Sequence, residues 1–166
     1  MKPATDNFDA LFRAHAPSVF RRASRMLGND ADAHEIVSDV FLSLYERPAQ
    51  YEGKSSLSTF LYAMTTNACL NRIRSRERRR RWLEKASAEA PDLAARPVPP
   101  DRFTQLKRVL DRMPEELARI AVYYFMDELT QDEVSELLGC TRAQVRSLLA
   151  RLDSWCAAEA AGEGAS

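Results

Sequence analysis

Residues 72–81 read RIRSRERRRR and carry seven arginines against one glutamate, a local charge of +6. In a helix, Arg72, Arg76, Arg79 and Arg80 lie along one side. A planar guanidinium group matches the geometry of phosphate oxygens, and several such contacts give an affinity that falls steeply with salt. Because mixed charges would serve solubility equally well, the run favours a polyanionic ligand. The alternative is a solvated basic face or a disordered tail.

A second cluster of polar residues lies in the segment 130–156, which has the pattern of two helices joined by a turn at Gly139. The sequences TQDE and TRAQ are capping boxes that start these two helices. Arg142, Gln144 and Arg146 fall in the first turns of the second helix, where a helix-turn-helix motif reaches base edges in the major groove. The alternative is a helical hairpin that only packs.

The segment YEGKSSLSTFLY at residues 51–62 places aromatic residues beside a loop of glycine and serines. Unpaired bases stack on aromatic rings next to basic surfaces, so this segment is a candidate for contacts with single-stranded nucleic acid. Phe60 fits a place in the apolar core equally well.

Composition excludes several other functions. The sequence has no P-loop, HExxH or GxSxG motif, and its two histidines suggest neither a metal pair nor a general base, so we expect no enzyme and no small-molecule substrate. The three cysteines, Cys69, Cys140 and Cys156, form no CxxC pair, so we expect no metal and no other cofactor. No apolar segment approaches the roughly 20 residues that span a bilayer, and we expect a cytoplasmic location.

The net charge of the 166 residues is zero, with 24 basic and 24 acidic side chains. That balance conceals an asymmetry, because residues 1–84 carry +4 and residues 85–166 carry −4. A neutral chain whose charge is concentrated in this way can still bind a polyanion.

Apolar periodicity predicts helices nearly everywhere, and hence an all-α fold. In the first helix, Pro17 is expected to start a new helix or to kink this one, and Gly28 to end it. Asp30 is expected to cap a helix over residues 31–46. Ser55 or Ser56 then caps a third helix that continues through the arginine run to Trp82.

Four prolines interrupt the pattern in residues 85–100, which we interpret as a flexible linker with a reach of about 50 Å. The predicted organisation is therefore two small helical domains, residues 1–84 and 101–158, joined by this linker. A second pair of helices, over 103–113 and from Pro114, precedes the helix-turn-helix. The small, polar residues 159–166 are expected to be a disordered tail.

In this order, four stretches resemble the extracytoplasmic-function (ECF) group of bacterial RNA polymerase sigma factors. They are DAHEIVSDVFLSLYE (32–46), YEGKSSLSTFLYAMTTNACLNRIRSRERR (51–79), MPEELARIAVYYF (113–125) and LTQDEVSELLGCTRAQVRSLLARL (129–152). The resemblance implies a protein without catalytic activity that binds core RNA polymerase and directs it to promoter DNA. It also implies an anti-sigma factor as a partner, which holds such a protein at the inner membrane where that partner is membrane-bound.

The resemblance further assigns roles to individual residues. The exposed side of the 31–46 helix would dock on the polymerase, through Glu35, Asp39, Leu42 and Glu46. The loop 51–58 and the helix after it would capture and line the −10 element, through Tyr51, Lys54, Ser55, Ser56, Ser58, Thr59, Phe60, Asn67, Asn71, Arg72, Arg74 and Arg76. The second helix of the helix-turn-helix would read the −35 element, through Thr141, Arg142, Gln144, Arg146, Ser147 and Arg151.

The sequence departs from the family pattern at a few positions. Leu148 and Asp153 stand where further basic residues are usual, and Asn71 stands where an aspartate is common. Two alternatives therefore remain. One is a sigma mimic that sequesters an anti-sigma factor, which does not explain the arginine run. The other is a stand-alone helix-turn-helix repressor, which does not explain the first 80 residues.

Overall fold

The computed structural model describes residues 5–88 and 101–163, and this part of the chain contains helices and no strand. Seven α-helices follow one another: α1 (Thr5–Leu27), α2 (Asp30–Glu46), α3 (Leu57–Ala88), α4 (Arg102–Arg112), α5 (Glu115–Ala121), α6 (Gln131–Leu138) and α7 (Arg142–Glu163). A 3₁₀ turn over Pro48–Gln50 and a π-helical turn over Val122–Met126 complete the described elements. The predicted all-α fold is confirmed. None of the helices in these ranges combines the length and apolar character needed to cross a bilayer.

The described helices group into two compact units. The first combines α1, α2, α4 and the part of α3 from Met64 onward, and the second combines residues 49–63 with the chain from Pro114 onward. This grouping differs from the division predicted from the sequence, which assigns residues 49–63 to the first domain and α4 to the second. The difference arises because Arg81 on α3 forms an ion pair with Asp111 on α4, at 2.8 Å. The domain boundaries themselves stay a prediction.

In the first unit, α1 and α2 form an antiparallel pair around a tight turn at Gly28. This glycine has φ +73°, a left-handed conformation that favours residues without a Cβ, and an added Cβ would also collide with the ring of Phe103. Lys107 donates to the carbonyl oxygen of Leu27 at 2.6 Å, so a cation satisfies an acceptor at the end of α1. The predicted end of α1 at Gly28 is confirmed.

The cap of α2 was predicted one residue too far along the chain. Asn29, not Asp30, is the N-cap, and its side chain accepts a hydrogen bond from the backbone N–H of Asp32 at 2.8 Å. Asn29 and Asp30 are both good capping residues, so local sequence does not choose between them. The carboxylate of Asp30 is engaged elsewhere, because it accepts a hydrogen bond from the hydroxyl of Ser24 on α1 at 2.7 Å.

The core of the first unit is formed by one face of each helix. It contains Val19, Ala23, Met26 and Leu27 of α1, Ile36, Val37, Val40, Phe41 and Leu44 of α2, and Leu70 and Ile73 of α3. Within this core, the guanidinium of Arg22 donates to the hydroxyl of Thr66 at 2.9 and 2.7 Å, which satisfies two polar groups away from water.

In the second unit, α5, α6 and α7 pack around Ile120, Val134, Val145 and Leu152. Both predicted capping boxes are present, at Thr130–Glu133 and at Thr141–Gln144. Gly139 ends α6 with φ +62°, as the turn requires. The π-helical turn after α5 was not predicted, because its apolar residues fit the ordinary helical period.

Pro17 lies inside α1 and does not start a new helix, so of the two alternatives predicted for it only the kink remains, and the kink stays a prediction. Two expectations about helix limits are corrected. Residues 85–88 belong to α3 and not to the linker; the rest of the predicted linker, 89–100, lies outside the described residues. Residues 159–163 are helical because the alanines of this segment favour helix, while 164–166 lie outside the described residues.

Candidate nucleic-acid interfaces

The arginine run on α3 is tied to an acidic edge of α2 by ion pairs. Arg76 Nη2 lies 2.5 Å from Asp32 Oδ1, and the Asp32 side chain is only 3% exposed. Asp32 also accepts a hydrogen bond from the Asn29 side chain at 2.6 Å. A buried carboxylate is costly unless charged and polar partners surround it, so Arg76 stabilises the packing of α3 on α2.

Arg72 reaches three carboxylates from the preceding turn of α3. Its Nη1 lies 2.5 Å from Glu35 Oε2 and 3.7 Å from Asp32 Oδ1, and its Nη2 lies 3.7 Å from Asp39 Oδ2. The hydrogen bond to Glu35 and the nearby negative charges raise the pKa of Arg72. Two residues predicted to face the polymerase, Glu35 and Asp39, are therefore also the partners of a residue predicted to face DNA.

Further arginines of the run are also engaged. Arg74 donates to the backbone oxygen of Met113 at 3.3 Å, and Arg80 pairs with Glu77 at 2.7 Å and with Glu84. Together with the Arg81–Asp111 pair, these contacts neutralise much of the +6 charge of the run within the first unit. Within the described residues, only Arg78 and Arg79 of the seven have no recorded ion-pair or hydrogen-bond partner.

The residue that organises this network, Asp32, was not singled out from the sequence. The signal was present as the pair Asn29 and Asp32, an N-cap followed three residues later by an acid, which is typical of a helix start. Asp32 is buried against Arg72 and Arg76, which lie 40 and 44 positions later in the chain. This is a tertiary contact, and no local sequence pattern encodes it.

The residues predicted to dock on the polymerase share one surface of α2. Glu35, Asp39, Leu42 and Glu46 are all exposed, and Leu42 exposes 55% of its surface although it is a large apolar residue. Their spacing by four, three and four positions puts them on a single helix face. This shared exposure fits the predicted docking on the polymerase. The docking itself stays a prediction.

The segment predicted to capture a −10 base is an ordered loop. The Tyr51 hydroxyl donates to the carbonyl of Ser55 at 2.8 Å, and the Tyr51 and Phe60 rings lie 5.2 Å apart. Ser56 caps α3, because its hydroxyl accepts from the N–H of Thr59 at 3.1 Å. Ser58 and Lys54 are exposed, and Lys54 pairs with Glu52, which raises the pKa of Lys54.

The two asparagines predicted to lie along the −10 DNA differ in how accessible their side chains are. Asn71 is exposed on α3. The side-chain oxygen Oδ1 of Asn67 is buried and has no hydrogen-bond partner among the described residues. We therefore expect Asn71 to be the more accessible of the two.

The second helix of the helix-turn-helix, α7, presents its predicted residues to solvent. Thr141, Arg142, Gln144, Arg146, Ser147 and Arg151 are all exposed. Arg142 lies 3.6 Å from Asp132 of α6, a long contact between exposed groups that holds it weakly. In the described part of the chain, Arg146 has no ion-pair partner, which leaves its guanidinium available for a ligand.

Three of these six residues, Thr141, Gln144 and Arg151, also serve the local structure, and the hydroxyl of Thr141 accepts from the backbone N–H of Gln144. The side-chain oxygen of Gln144 accepts from the backbone N–H of Thr141 at 2.8 Å, so only the amide nitrogen of Gln144 remains free to donate. Arg151 pairs with Glu116 of α5. Gln144, Ser147 and Arg151 line a depression of about 360 Å³ together with Glu116 and Arg119.

The described residues contain no cluster of histidine, cysteine or acidic side chains that could hold a metal ion. Burial raises the pKa of the Cys69 thiol to about 12, so this cysteine is a protonated core residue.

Comparison with known proteins matches two successive parts of the chain to one family. The model of Sigma-70 region 2 matches residues 11–79, and that of Sigma-70, region 4 matches residues 103–152. ECF RNA polymerase sigma factor SigE of Mycolicibacterium smegmatis is 27% identical over 89% of this chain and 59% of its own length. ECF RNA polymerase sigma factor SigM of Mycobacterium tuberculosis is 29% identical over 87% of this chain and 72% of its own.

The chain thus spans little more than half the length of the SigE relative. Among solved structures, the sigma factor RpoE of Bartonella quintana, in complex with the anti-sigma factor NepR, aligns with 90% of this chain and 94% of its own. The TM-score is 0.45 and the identity 14%, a likeness too distant to carry an argument.

Proposed function

Because this chain belongs to the ECF group of bacterial RNA polymerase sigma factors, we propose that it binds core RNA polymerase and directs initiation at promoters with a −10 and a −35 element. The observation that carries the proposal is the presence of both sigma regions, in order, on one chain. The proposed function assigns no chemical reaction to the chain itself. Its partners are the polymerase and promoter DNA, in the cytoplasm.

The geometry of α7 supports the reading of the −35 element. The exposed guanidinium groups of Arg142 and Arg146 stand in the first turns of a helix whose start is fixed by a capping box. An arginine in this place forms paired hydrogen bonds to guanine N7 and O6. We assign Ser147 and Arg151 to contacts with phosphates or with bases next to those that Arg142 and Arg146 read. Arg151 also forms an ion pair with Glu116, so only part of its charge is available to DNA.

The geometry of α2 supports the docking on the polymerase. Glu35, Asp39, Leu42 and Glu46 form an exposed face in which carboxylates surround one apolar side chain. Such a face suits a partner with basic residues around an apolar pocket. An anti-sigma factor would compete for this face, and a membrane-bound one would hold the chain at the inner membrane.

The −10 element is assigned to the loop 51–58 and to α3. Tyr51 and Phe60 provide aromatic rings on which an unpaired base can stack, while Asn71, Arg72, Arg74 and Arg76 follow along the helix. Arg72 and Arg76 must exchange their ion pairs with α2 for contacts with DNA in order to serve there, whereas Arg74 gives up only a contact with a backbone oxygen.

The proposal is tested by transcription with purified chain, core polymerase and a cognate promoter. We expect specific initiation, and we expect the triple variant Arg72→Glu, Arg74→Glu, Arg76→Glu to abolish it. Because Arg76 compensates the buried Asp32, thermal unfolding of the triple variant must be measured too, and Arg74→Ala serves as a variant that keeps both ion pairs. Arg13→Glu, an exposed site on α1, is the matched control.

We expect Arg74→Ala to lower promoter-dependent initiation severalfold and Arg13→Glu to leave it unchanged. Normal transcription by a folded triple variant would show that α3 does not contact DNA. A sigma mimic would give a different outcome, because it would bind an anti-sigma factor and fail to support initiation with core polymerase.

A further inference from the structure

The depression between α5 and α7 lies within the second unit and has a volume of about 360 Å³. Small-molecule sites in proteins typically occupy about 300–1,000 Å³, so the space is sufficient for a small ligand. Its apolar wall is formed by Leu138, Cys140 and Leu148, which are all half-buried, and its polar rim includes Arg119 and Arg151. We call this site the α7 depression.

The α7 depression has an apolar wall where the family pattern is basic. A basic residue is usual at position 148, whereas this chain has Leu148, half-buried in the lining. A basic side chain at this position would fill the depression and add a further positive charge. Leucine leaves the space open and gives it an apolar surface, which contacts with the polyanionic backbone of DNA do not require. The proposed function therefore gives no account of this wall.

Arg119 brings to the α7 depression a guanidinium whose capacity for hydrogen bonds is largely unused. Its Nη2 lies 4.0 Å from Glu115 Oε1, which is too far for a hydrogen bond. Within the described residues, its buried Nε has no hydrogen-bond partner either, and such unpartnered buried groups are rare in native proteins. A carboxylate is a preferred partner of a guanidinium, because it accepts two parallel hydrogen bonds.

The charges of the lining indicate the charge of a suitable ligand. Arg151 forms an ion pair with Glu116, so these two charges offset each other and the positive charge of Arg119 is left in excess. The hydroxyl of Ser147 and the amide nitrogen of Gln144, whose side-chain oxygen caps α7, are further hydrogen-bond donors. Donors and a single excess positive charge beside an apolar wall suit an organic monocarboxylate.

We propose that the α7 depression binds a small organic acid, with its carboxylate on Arg119 and a compact apolar body against Leu138 and Leu148. The bound acid competes with promoter DNA, because Ser147 and Arg151 are assigned both to the −35 contacts and to the rim of the depression. It thereby lowers initiation. Only this effect on initiation rests on the proposed function; binding of the acid does not.

Alkylation of Cys140 by iodoacetamide reports occupation of the α7 depression, because this cysteine lines it. The full chain carries Cys156→Ser, which removes the exposed cysteine, and Cys69 is buried and protonated. Sodium benzoate is the probe. At about four times its dissociation constant it should slow the alkylation of Cys140 about fivefold, because only about one fifth of the sites are then empty.

Two further probes separate the carboxylate from the apolar body, at ionic strength matched with sodium chloride. Benzamide has the shape of benzoate without its charge, and inorganic phosphate has charge without an apolar body. We expect neither to protect Cys140 at the concentrations at which benzoate does. Absence of saturable protection by benzoate, or equal protection by benzamide or by phosphate, would overturn the proposal.

Substitutions in the lining test the two halves of the site. We expect Arg119→Gln to weaken benzoate binding about tenfold, because it removes the charged partner of the carboxylate. Leu148→Arg fills the apolar wall and should abolish the protection of Cys140. Arg13→Gln, an exposed site on α1, is the control and should leave benzoate binding unchanged. Circular dichroism verifies that each variant is folded. Unchanged benzoate affinity in folded Arg119→Gln or in folded Leu148→Arg would overturn the site.

Failure of this site and failure of the proposed function give different results. If the chain supports initiation with core polymerase but benzoate does not protect Cys140, the α7 depression is not a ligand site and the proposed function stands. If benzoate protects Cys140 and no initiation occurs, the site is confirmed and the proposed function is wrong. Where both hold, benzoate should lower initiation by the wild-type chain and not by Leu148→Arg; equal inhibition of the two would overturn the competition with DNA.

Discussion

Two basic helices of this chain use arginine in opposite ways. On α3, Arg72, Arg76, Arg80 and Arg81 are held by carboxylates of the same unit, and two of those carboxylates, Asp32 and Glu77, are buried. On α7, Arg142 and Arg146 project into solvent from a helix start fixed by a capping box. The number of arginines is therefore a poor measure of the charge that a helix offers to DNA.

The difference has an energetic consequence. An arginine that compensates a buried carboxylate contributes to folding, and any ligand must compete with the internal partner for it. An arginine in solvent contributes little to folding and all of its charge to a ligand. We expect substitutions of the paired arginines of α3 to affect both stability and binding, and substitutions of Arg142 and Arg146 on α7 to affect binding alone.

The largest effect on stability is expected at Arg76. Arg76→Ala leaves the buried Asp32 with Asn29 and the more distant Arg72, and should lower the free energy of unfolding by about 2 kcal/mol. Urea denaturation followed by circular dichroism measures it. Arg79→Ala on the same helix, and Arg146→Ala on α7, should each change it by less than about 0.5 kcal/mol. Equal changes at the three sites would remove the distinction between the paired arginine and the arginines in solvent.

The second effect concerns sequence preference on α7. Arg142→Ala and Arg146→Ala should each lose about 1–3 kcal/mol of discrimination at one base pair of the −35 element. Initiation by the variant holoenzymes on a set of templates with single substitutions in the −35 element measures the change. An equal loss on every template would assign these arginines to phosphates and not to bases.

A smaller effect is expected at Gln144, where structure and recognition share one side chain. Gln144→Glu keeps the acceptor that caps α7 and removes the amide donor, so the free energy of unfolding should change by less than about 0.5 kcal/mol. Affinity for the −35 element should fall by at least about 1 kcal/mol, because the variant loses the amide donor and places a negative charge next to the DNA phosphates. Unchanged affinity would reduce Gln144 to a capping residue.

The smallest effect is expected from releasing Arg72. The double variant Glu35→Gln, Asp39→Asn removes two exposed partners, so binding of the free chain to a −10 single strand should strengthen by about twofold to threefold. Binding to core polymerase should weaken, since both carboxylates lie on the proposed docking face. Anisotropy with labelled DNA and with labelled polymerase separates the two effects, and opposite signs are required.

These expectations show where sequence reasoning was sufficient. Three local features were predicted correctly: the limits of α6, the turn at Gly139 and the end of α1 at Gly28. Each of them depends on a cap or on a residue in the left-handed conformation, which a few neighbouring positions encode. The helix-turn-helix and the exposed face of α2 follow from the same local periodicity.

The remaining features depend on contacts between distant parts of the chain. The pair between Arg76 and Asp32 joins positions 44 residues apart, and the Arg81–Asp111 pair that links α3 to α4 spans 30. The sequence alone therefore predicted that the whole arginine run is available to a polyanion. In the structure, internal carboxylates neutralise much of its charge. The helical end of α7 was missed for a different reason, since the small, polar residues of this segment suggested disorder while its alanines sustain the helix.

The central claim, that this chain gives core polymerase its promoter specificity, is tested most directly by transcription of genomic DNA from its host. Fragmented DNA is transcribed by core polymerase with and without the purified chain, and the 5′ ends of the transcripts are mapped by sequencing. We predict start sites that occur only with the chain and that share two upstream motifs at a fixed separation. Identical start sites in both reactions would contradict the claim.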